Sequence, residues 1–129
     1  MVDASGNYIT TGGQEGLLLN NGGTIGNKNF NITAAHAVCR VMGFEGALQW
    51  TYGRKWQIQS GFPFVLDGVS CFLPEWSSCS YSGRLGTHNN HGTDVFLTCT
   101  GSRSPFSLVD KRGHTVSGDF CIRIVFEGL

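Results

Sequence analysis

Apolar positions recur with two different periods along this chain. A polar stretch to about Thr11 reads as a loose lead-in, taken to residue 15, before the apolar run Gly16-Leu17-Leu18-Leu19-Asn20, which reads as a strand. Asn21-Gly22 behind it is a two-residue hairpin signal, because both positions tolerate positive φ, and Thr24-Ile25 begins the return strand. The period then changes. Ala34, Ala37, Val38 and Val41 recur at helical spacing, with Thr33 as the expected N-cap and Gly43 as the stop. Trp50, Trp56 and Ile58 lie in a segment of strand character, which Phe62, Phe64, Leu66 and Val69 continue. Val95, Leu97 and Cys99 alternate with Phe96 and Thr98, the pattern of a half-buried strand. Beyond it, Ser107-Leu108-Val109 and Phe120 to Phe126, separated by a turn at Asp110 to Gly113, predict a further hairpin over 101–129. Phe120, Ile122, Ile124 and Phe126 share one face of its last strand. That face is expected to extend the domain's own sheet, or else to meet a neighbouring module or a second copy of the chain.

Composition narrows the class. A chain of 129 residues fits one domain and can bury a core unaided, and nineteen glycines imply a turn-rich, mostly β organisation. Formal net charge is zero, so bulk attraction to nucleic acid or to an anionic membrane is not implied. No apolar run reaches the eighteen residues of a membrane span, and Met1-Val2-Asp3-Ala4-Ser5-Gly6 lacks the basic start and apolar stretch of a signal peptide. If the protein is secreted, Met1 is then expected to begin a segment of a longer precursor. Neither internal repeat nor low-complexity tract is visible.

Four motifs in register point to a family. Ala35-His36-Ala37-Val38-Cys39-Arg40-Val41-Met42-Gly43-Phe44 is followed by Leu66-Asp67-Gly68-Val69-Ser70-Cys71, then by Cys79, and then by His88-Asn89 ahead of Asp94-Val95-Phe96-Leu97-Thr98-Cys99. From about Gly16 to Cys99 the chain resembles the scavenger receptor cysteine-rich family, whose motifs read A-x-V-V-C-R-Q-L-G-F, W-L-D-D-V-x-C, L-x-x-C and G-x-H-N-C-x-H-x-E-D-V-x-L-x-C. The resemblance implies an α+β fold over 16–100, a twisted antiparallel sheet cradling one short helix; it ends close to Cys99, which leaves the hairpin of 101–129 as an added β extension. It also implies secretion or display on the outer face of a cell.

The resemblance further implies the bridges Cys39 with Cys99 and Cys71 with Cys79, a pairing that spacing alone leaves among three alternatives. Cys121 is left over, as a buried thiol or a link to another chain. One family bridge is missing altogether. The position after the family's G-T-V triplet is Gly26 here, and His88-Asn89 runs into Asn90-His91 with no thiol. A lost bridge typically removes about 2 to 4 kcal/mol. Some other feature is therefore expected to hold the first hairpin to the His88 loop, unless the core tolerates the loss.

Candidate chemistry is sparse. G-x-S-x-G, H-E-x-x-H and a catalytic-cysteine signature are all missing, so the chain reads as non-enzymatic. Cys71, Cys79, His88 and His91 form a zinc-like set, but the seven residues between the cysteines exceed the usual spacing, and disulfide pairing is the better reading. His88 and His91 then become loop residues. The family's calcium-binding positions are depleted: Asn27, Lys28 and Thr93 stand where the resemblance implies two aspartates and a glutamate, with the Lys28 ammonium expected near Asp94. At a second position Asp67 and Asn89 survive while Gly68 replaces an aspartate. Either weak calcium binding or loop hydrogen bonds alone would account for that pair. No other cofactor is implied.

Arg54, Lys55 and Arg84 are the candidate anion-binding residues, with Arg40, Arg103, Lys111 and Arg112 elsewhere. Trp50 and Trp56 flank Arg54-Lys55, a grouping that marks either a recognition surface or only a solvated turn. Asn31-Ile32-Thr33 is an N-glycosylation triplet, competing with Thr33 as a helix cap. The function expected is a non-enzymatic extracellular recognition module for a protein or polyanionic ligand. Its rivals are a matrix component that assembles through the terminal strand and Cys121, and an accessory domain of a larger secreted enzyme.

Overall fold

Leucine 18 marks the point where one extended segment passes from one sheet to another. The computed structural model describes the backbone of residues 1–87 and 90–101, and the side chains of all of these except 83–87. Strand β1 (Glu15–Leu17) pairs antiparallel with β7 (Val95–Thr100), which pairs on its other side with β4 (Gly46–Tyr52). Past Leu18, β2 (Leu19–Asn20) turns through Asn21 (φ 52°) and Gly22 (φ 80°) into β3 (Gly23–Ile25), as the Asn-Gly pair predicts. β3 then runs parallel to β5 (Phe64–Cys71), which pairs antiparallel with β6 (Cys79–Thr87). Among the described residues the antiparallel sheet expected from sequence is thus two sheets, one of three strands and one mixed sheet of four.

Helix α1 (Ile32–Val41) lies in the expected place, which makes the fold α+β, and its apolar stripe of Ala34, Ala37 and Val38 is buried. Its cap is Asn31 rather than Thr33. The Asn31 Oδ1 accepts the Ala34 N–H at 2.9 Å, which satisfies one of the orphan donors of the first turn. At the other end the Phe44 N–H reaches the Cys39 carbonyl and the Gly43 N–H reaches that of Arg40, a Schellman closure with Gly43 at φ 98°. The helix carries Cys39 onto β7, where it bridges Cys99.

Among the described residues two clusters form the core. In the larger, α1 packs with Leu18, Ile25, Leu66, Val69, Val95, Leu97 and Cys99; in the smaller, Val2, Leu17, Leu19 and Phe96 meet Trp56 and Phe62. β7 lies between them and is buried on both faces, Phe96 included, instead of half-buried as its alternation suggested. On the second face Phe96 is covered by Val2 from the lead-in and by Trp56 and Phe62, and both segments differ from what periodicity predicts. The polar lead-in is not loose: Met1, Val2 and Ile9 are buried, and Val2 bridges both Tyr8 and Leu17. Trp56, Ile58 and Phe62 belong to a 3₁₀ turn (Gln57–Gly61) and its flanks, not to a strand. The hairpin expected over 101–129 lies outside the described residues from 102 onward.

Candidate interaction surface and the network behind it

Among the described residues the most exposed large apolar side chain, Phe72, sits on a loop closed by a disulfide. Cys71 and Cys79 face each other across β5 and β6 and are joined by a disulfide, closing the loop 72–78. Within it the Ser78 hydroxyl donates toward the carbonyls of Leu73 and Glu75 at 2.9 and 2.8 Å and accepts the Leu73 N–H at 2.9 Å. Arg40, on the last turn of α1, donates from Nη1 to the Pro74 carbonyl at 3.2 Å and from Nε to Glu45. Such a loop is held at its base, its middle and its flank. It nonetheless presents Phe72 at 93% exposure and Leu73 at 56%. Sequence reasoning missed this pair, although two apolar residues directly after a cysteine on a short loop were a readable signal.

The basic and aromatic residues around position 54 are not brought together as one surface. Trp50 packs edge-on against Phe30 at 5.0 Å, on the side of the large cluster, whereas Trp56 packs edge-on against Phe96 at 4.8 Å in the small one. Lys55 pairs with Glu15 at 2.9 Å, contacts Thr51, and lies 4.5 Å above the Phe96 ring. Arg54 remains exposed, with Nη1 on the Asn90 carbonyl at 2.9 Å. The backbone of Arg84 lies in β6.

Beneath Arg54 is a buried polar network. Gln59, fully buried, accepts the N–H groups of Lys55 and Trp56 on Oε1, both at 2.7 Å, and donates from Nε2 to the Gly53 carbonyl and to Asp94 Oδ2 at 3.0 Å each. Asp94 Oδ2 also meets His91 Nδ1 at 2.8 Å, and that nitrogen lies 3.2 Å from the Thr24 hydroxyl. When Asp94 is ionised its carboxylate only accepts, and the proton of this short contact is then carried by Nδ1. Burial pushes the Asp94 carboxyl above the usual carboxylate range, while the Gln59 amide, the nearby Thr24 hydroxyl and the His91 imidazole pull it down. Asp94 Oδ1 is buried with no hydrogen-bond partner among the described residues. His91, expected as a loop residue, is buried, and Asp94 is met by His91 and Gln59 instead of by the Lys28 ammonium.

The scavenger receptor cysteine-rich domain family matches residues 5–100. The chain belongs to this family. Lysyl oxidase homolog 2 of Xenopus laevis is 36% identical over 96 residues, 71% of this chain and 12% of that protein. Lysyl oxidase homolog 4 of Bos taurus is 34% identical over 91 residues, again 12% of its length. The crystal structure of the dimeric form of the SRCR domain of mouse MARCO superposes with a TM-score of 0.50 at 25% identity, covering 71% of this chain and 92% of that one. The family is one of extracellular protein-interaction modules. Among the described residues no helix is long and apolar enough to cross a membrane.

As a scavenger receptor cysteine-rich domain the chain carries the two bridges the resemblance implied, Cys39–Cys99 and Cys71–Cys79. Where the third bridge of the family is missing, Thr24 on β3 meets His91, and Gly26 pairs with Asp94 as an isolated bridge. Hydrogen bonds therefore join the first hairpin to the turn at 91–94, in place of a covalent link. The position of the missing thiol has closed: a Cβ on Gly26 would lie 2.9 Å from the Phe64 ring and 2.7 Å from Asp67 Oδ1. Asp67 Oδ1 already accepts the N–H groups of Lys28 at 3.2 Å and Gly68 at 3.0 Å. Among the described residues no group of three or more His, Cys, Asp or Glu side chains gathers to hold a metal ion. Asn89, the other half of the candidate cation pair, and Cys121 lie outside the described residues.

Proposed function

We propose that this domain is a non-enzymatic interaction module of a secreted or cell-surface protein, and that it takes a protein partner through the Phe72-Leu73 tip. The observation that carries this reading is the 93% exposure of Phe72 on a loop fixed by a disulfide, Ser78 and Arg40. A rigid, exposed aromatic loses little conformational freedom when it enters a partner's pocket, which is why such anchors contribute much to binding. The polyanion reading draws less support, because Lys55 is already ion-paired with Glu15. Surface plasmon resonance against purified matrix proteins and against heparin separates the two. Binding that persists in high salt and is lost in Phe72→Ser supports the protein-partner reading. Heparin binding that falls steeply with salt, disappears in an Arg54→Ala, Lys55→Ala, Arg84→Ala variant and ignores Phe72→Ser would replace it.

A second reading, an accessory domain of a larger secreted enzyme, is favoured by the alignments to lysyl oxidase homologs, in which the matched stretch is 12% of the relative. The sequence of the longer parent protein tests it: a catalytic domain in the same chain supports it, and a parent built only of recognition modules overturns it.

A further inference from the structure

We infer that Asn31 is an N-glycan acceptor that caps α1 and carries sugar through different atoms of one carboxamide. The inference rests on reading the chain as a secreted module, and it assigns a modification that the reading itself does not require. Asn31-Ile32-Thr33 is an acceptor triplet, Asn31 is exposed, and its backbone is extended at φ −149° and ψ −177°. In sequence, capping and glycosylation compete for this residue. In the structure they separate. Oδ1 accepts the Ala34 N–H at 2.9 Å, while Nδ2 has no hydrogen-bond partner among the described residues.

Glycosyl transfer uses the nitrogen. The Nδ2–C1 bond forms as the C1–O bond to a polyprenyl pyrophosphate-linked oligosaccharide breaks; the pyrophosphate leaves with the electron pair, and the amide gives up one of its two protons. The carbonyl oxygen is not consumed, so the cap on Ala34 persists in the product.

Placement gives the sugar a consequence. Asn31 adjoins Ile32, 44% exposed, and Phe30, whose ring meets Trp50; Trp50 in turn lies 6.1 Å from Tyr52, 55% exposed. A glycan here covers the apolar rim at the N-terminal end of α1. The Phe72 loop is tied through Arg40 to the C-terminal end of the same helix, about 14 Å away along its axis at 1.5 Å per residue. The sugar thus screens one end of the helix and leaves the loop at the other end open.

The full 129-residue chain, directed by an added cleavable leader into a eukaryotic secretory pathway, supplies the test. Peptide N-glycosidase treatment in heavy-oxygen water, followed by peptide mass mapping, reads Asn31 in both the exported and the cell-retained protein, because transfer precedes export. Expected is a labelled aspartate at position 31 in the wild-type chain and none in Thr33→Ala. Asn31→Asp, which keeps an acceptor oxygen for the Ala34 amide, is expected to lose the sugar while unfolding at the wild-type temperature. An unmodified Asn31 in protein whose Cys39–Cys99 bridge has formed overturns the site and leaves the secreted reading standing. A fall in unfolding temperature for Asn31→Asp as large as for Asn31→Ala overturns the division of labour between the two atoms.

Discussion

Asp94 holds a carboxyl group where water does not reach, and its environment ties part of the domain's stability to pH. Burial raises the folded-state pKa above the unfolded one, against the pull of Gln59, Thr24 and His91. The folded protein therefore keeps a proton that the unfolded chain releases first. Stability from this group is fully present below the ordinary carboxylate value of about 3.9 and is lost as pH rises through the raised folded pKa. Urea unfolding across that interval is expected to show a declining free energy in the wild type. In Asp94→Asn, which still offers one oxygen to Gln59 and His91, the decline should disappear. A slope unchanged by the substitution would assign the pH dependence elsewhere. At this scale the sequence was least informative. Thr24 and His91 lie 67 positions apart, and Gln59 and Asp94 lie 35 apart, so no local period links them.

At the scale of elements, the two bridges constrain the unfolded chain unequally. Cys39–Cys99 spans 60 positions and joins α1 to the central strand, whereas Cys71–Cys79 spans 8 and closes one hairpin. Loop entropy then gives about 4 kcal/mol for the first and about 2.5 kcal/mol for the second. Paired Cys→Ala variants should follow that order in denaturant midpoints. Equal losses would mean that the short bridge also supports packing around Trp76, which is buried beside it. The elements were legible where local chemistry is decisive. Asn21-Gly22 had to turn, and the small apolar stripe of α1 had to face inward. The cap shifted from Thr33 to Asn31 because both can accept at a helix start, and only the path of the incoming chain chooses between them. The 57–61 segment was misread as strand because its aromatic neighbours pack on Phe96 from a 3₁₀ turn, and burial against a distant strand leaves no periodic trace.

For the whole molecule, net charge is zero and the described basic residues near position 54 are partly committed to internal partners. Carboxylate oxygens are committed as well. Asp67 Oδ1 serves two backbone amides, and Asp94 is enclosed with His91 and Gln59. Calcium takes six to eight oxygens, with affinity rising with their charge. Calorimetric titration is therefore expected to show no calcium binding at or below the micromolar range of calcium sensors. A measured affinity in that range, removed by Asp67→Ala, would show instead that Asp67 exchanges its amide contacts for the ion.

What the sequence alone determined was the set of features carried by neighbours in the chain: the hairpin turn, the helix and its stop, the strand leading to Cys99 and, through motif order, the family and its two remaining bridges. Tertiary structure alone decided which faces of those elements are covered and which charges are available. β7 is buried on both sides because Val2, Trp56 and Phe62 close over Phe96 on the face turned away from the larger cluster. Lys55 is neutralised by Glu15, 40 positions away, and a buried network from Thr24 to Asp94 stands where the family has a disulfide. The physical reason is the range of the interactions. Backbone preference and periodicity act over a few residues and are written locally, whereas burial and charge pairing are settled only when distant segments meet.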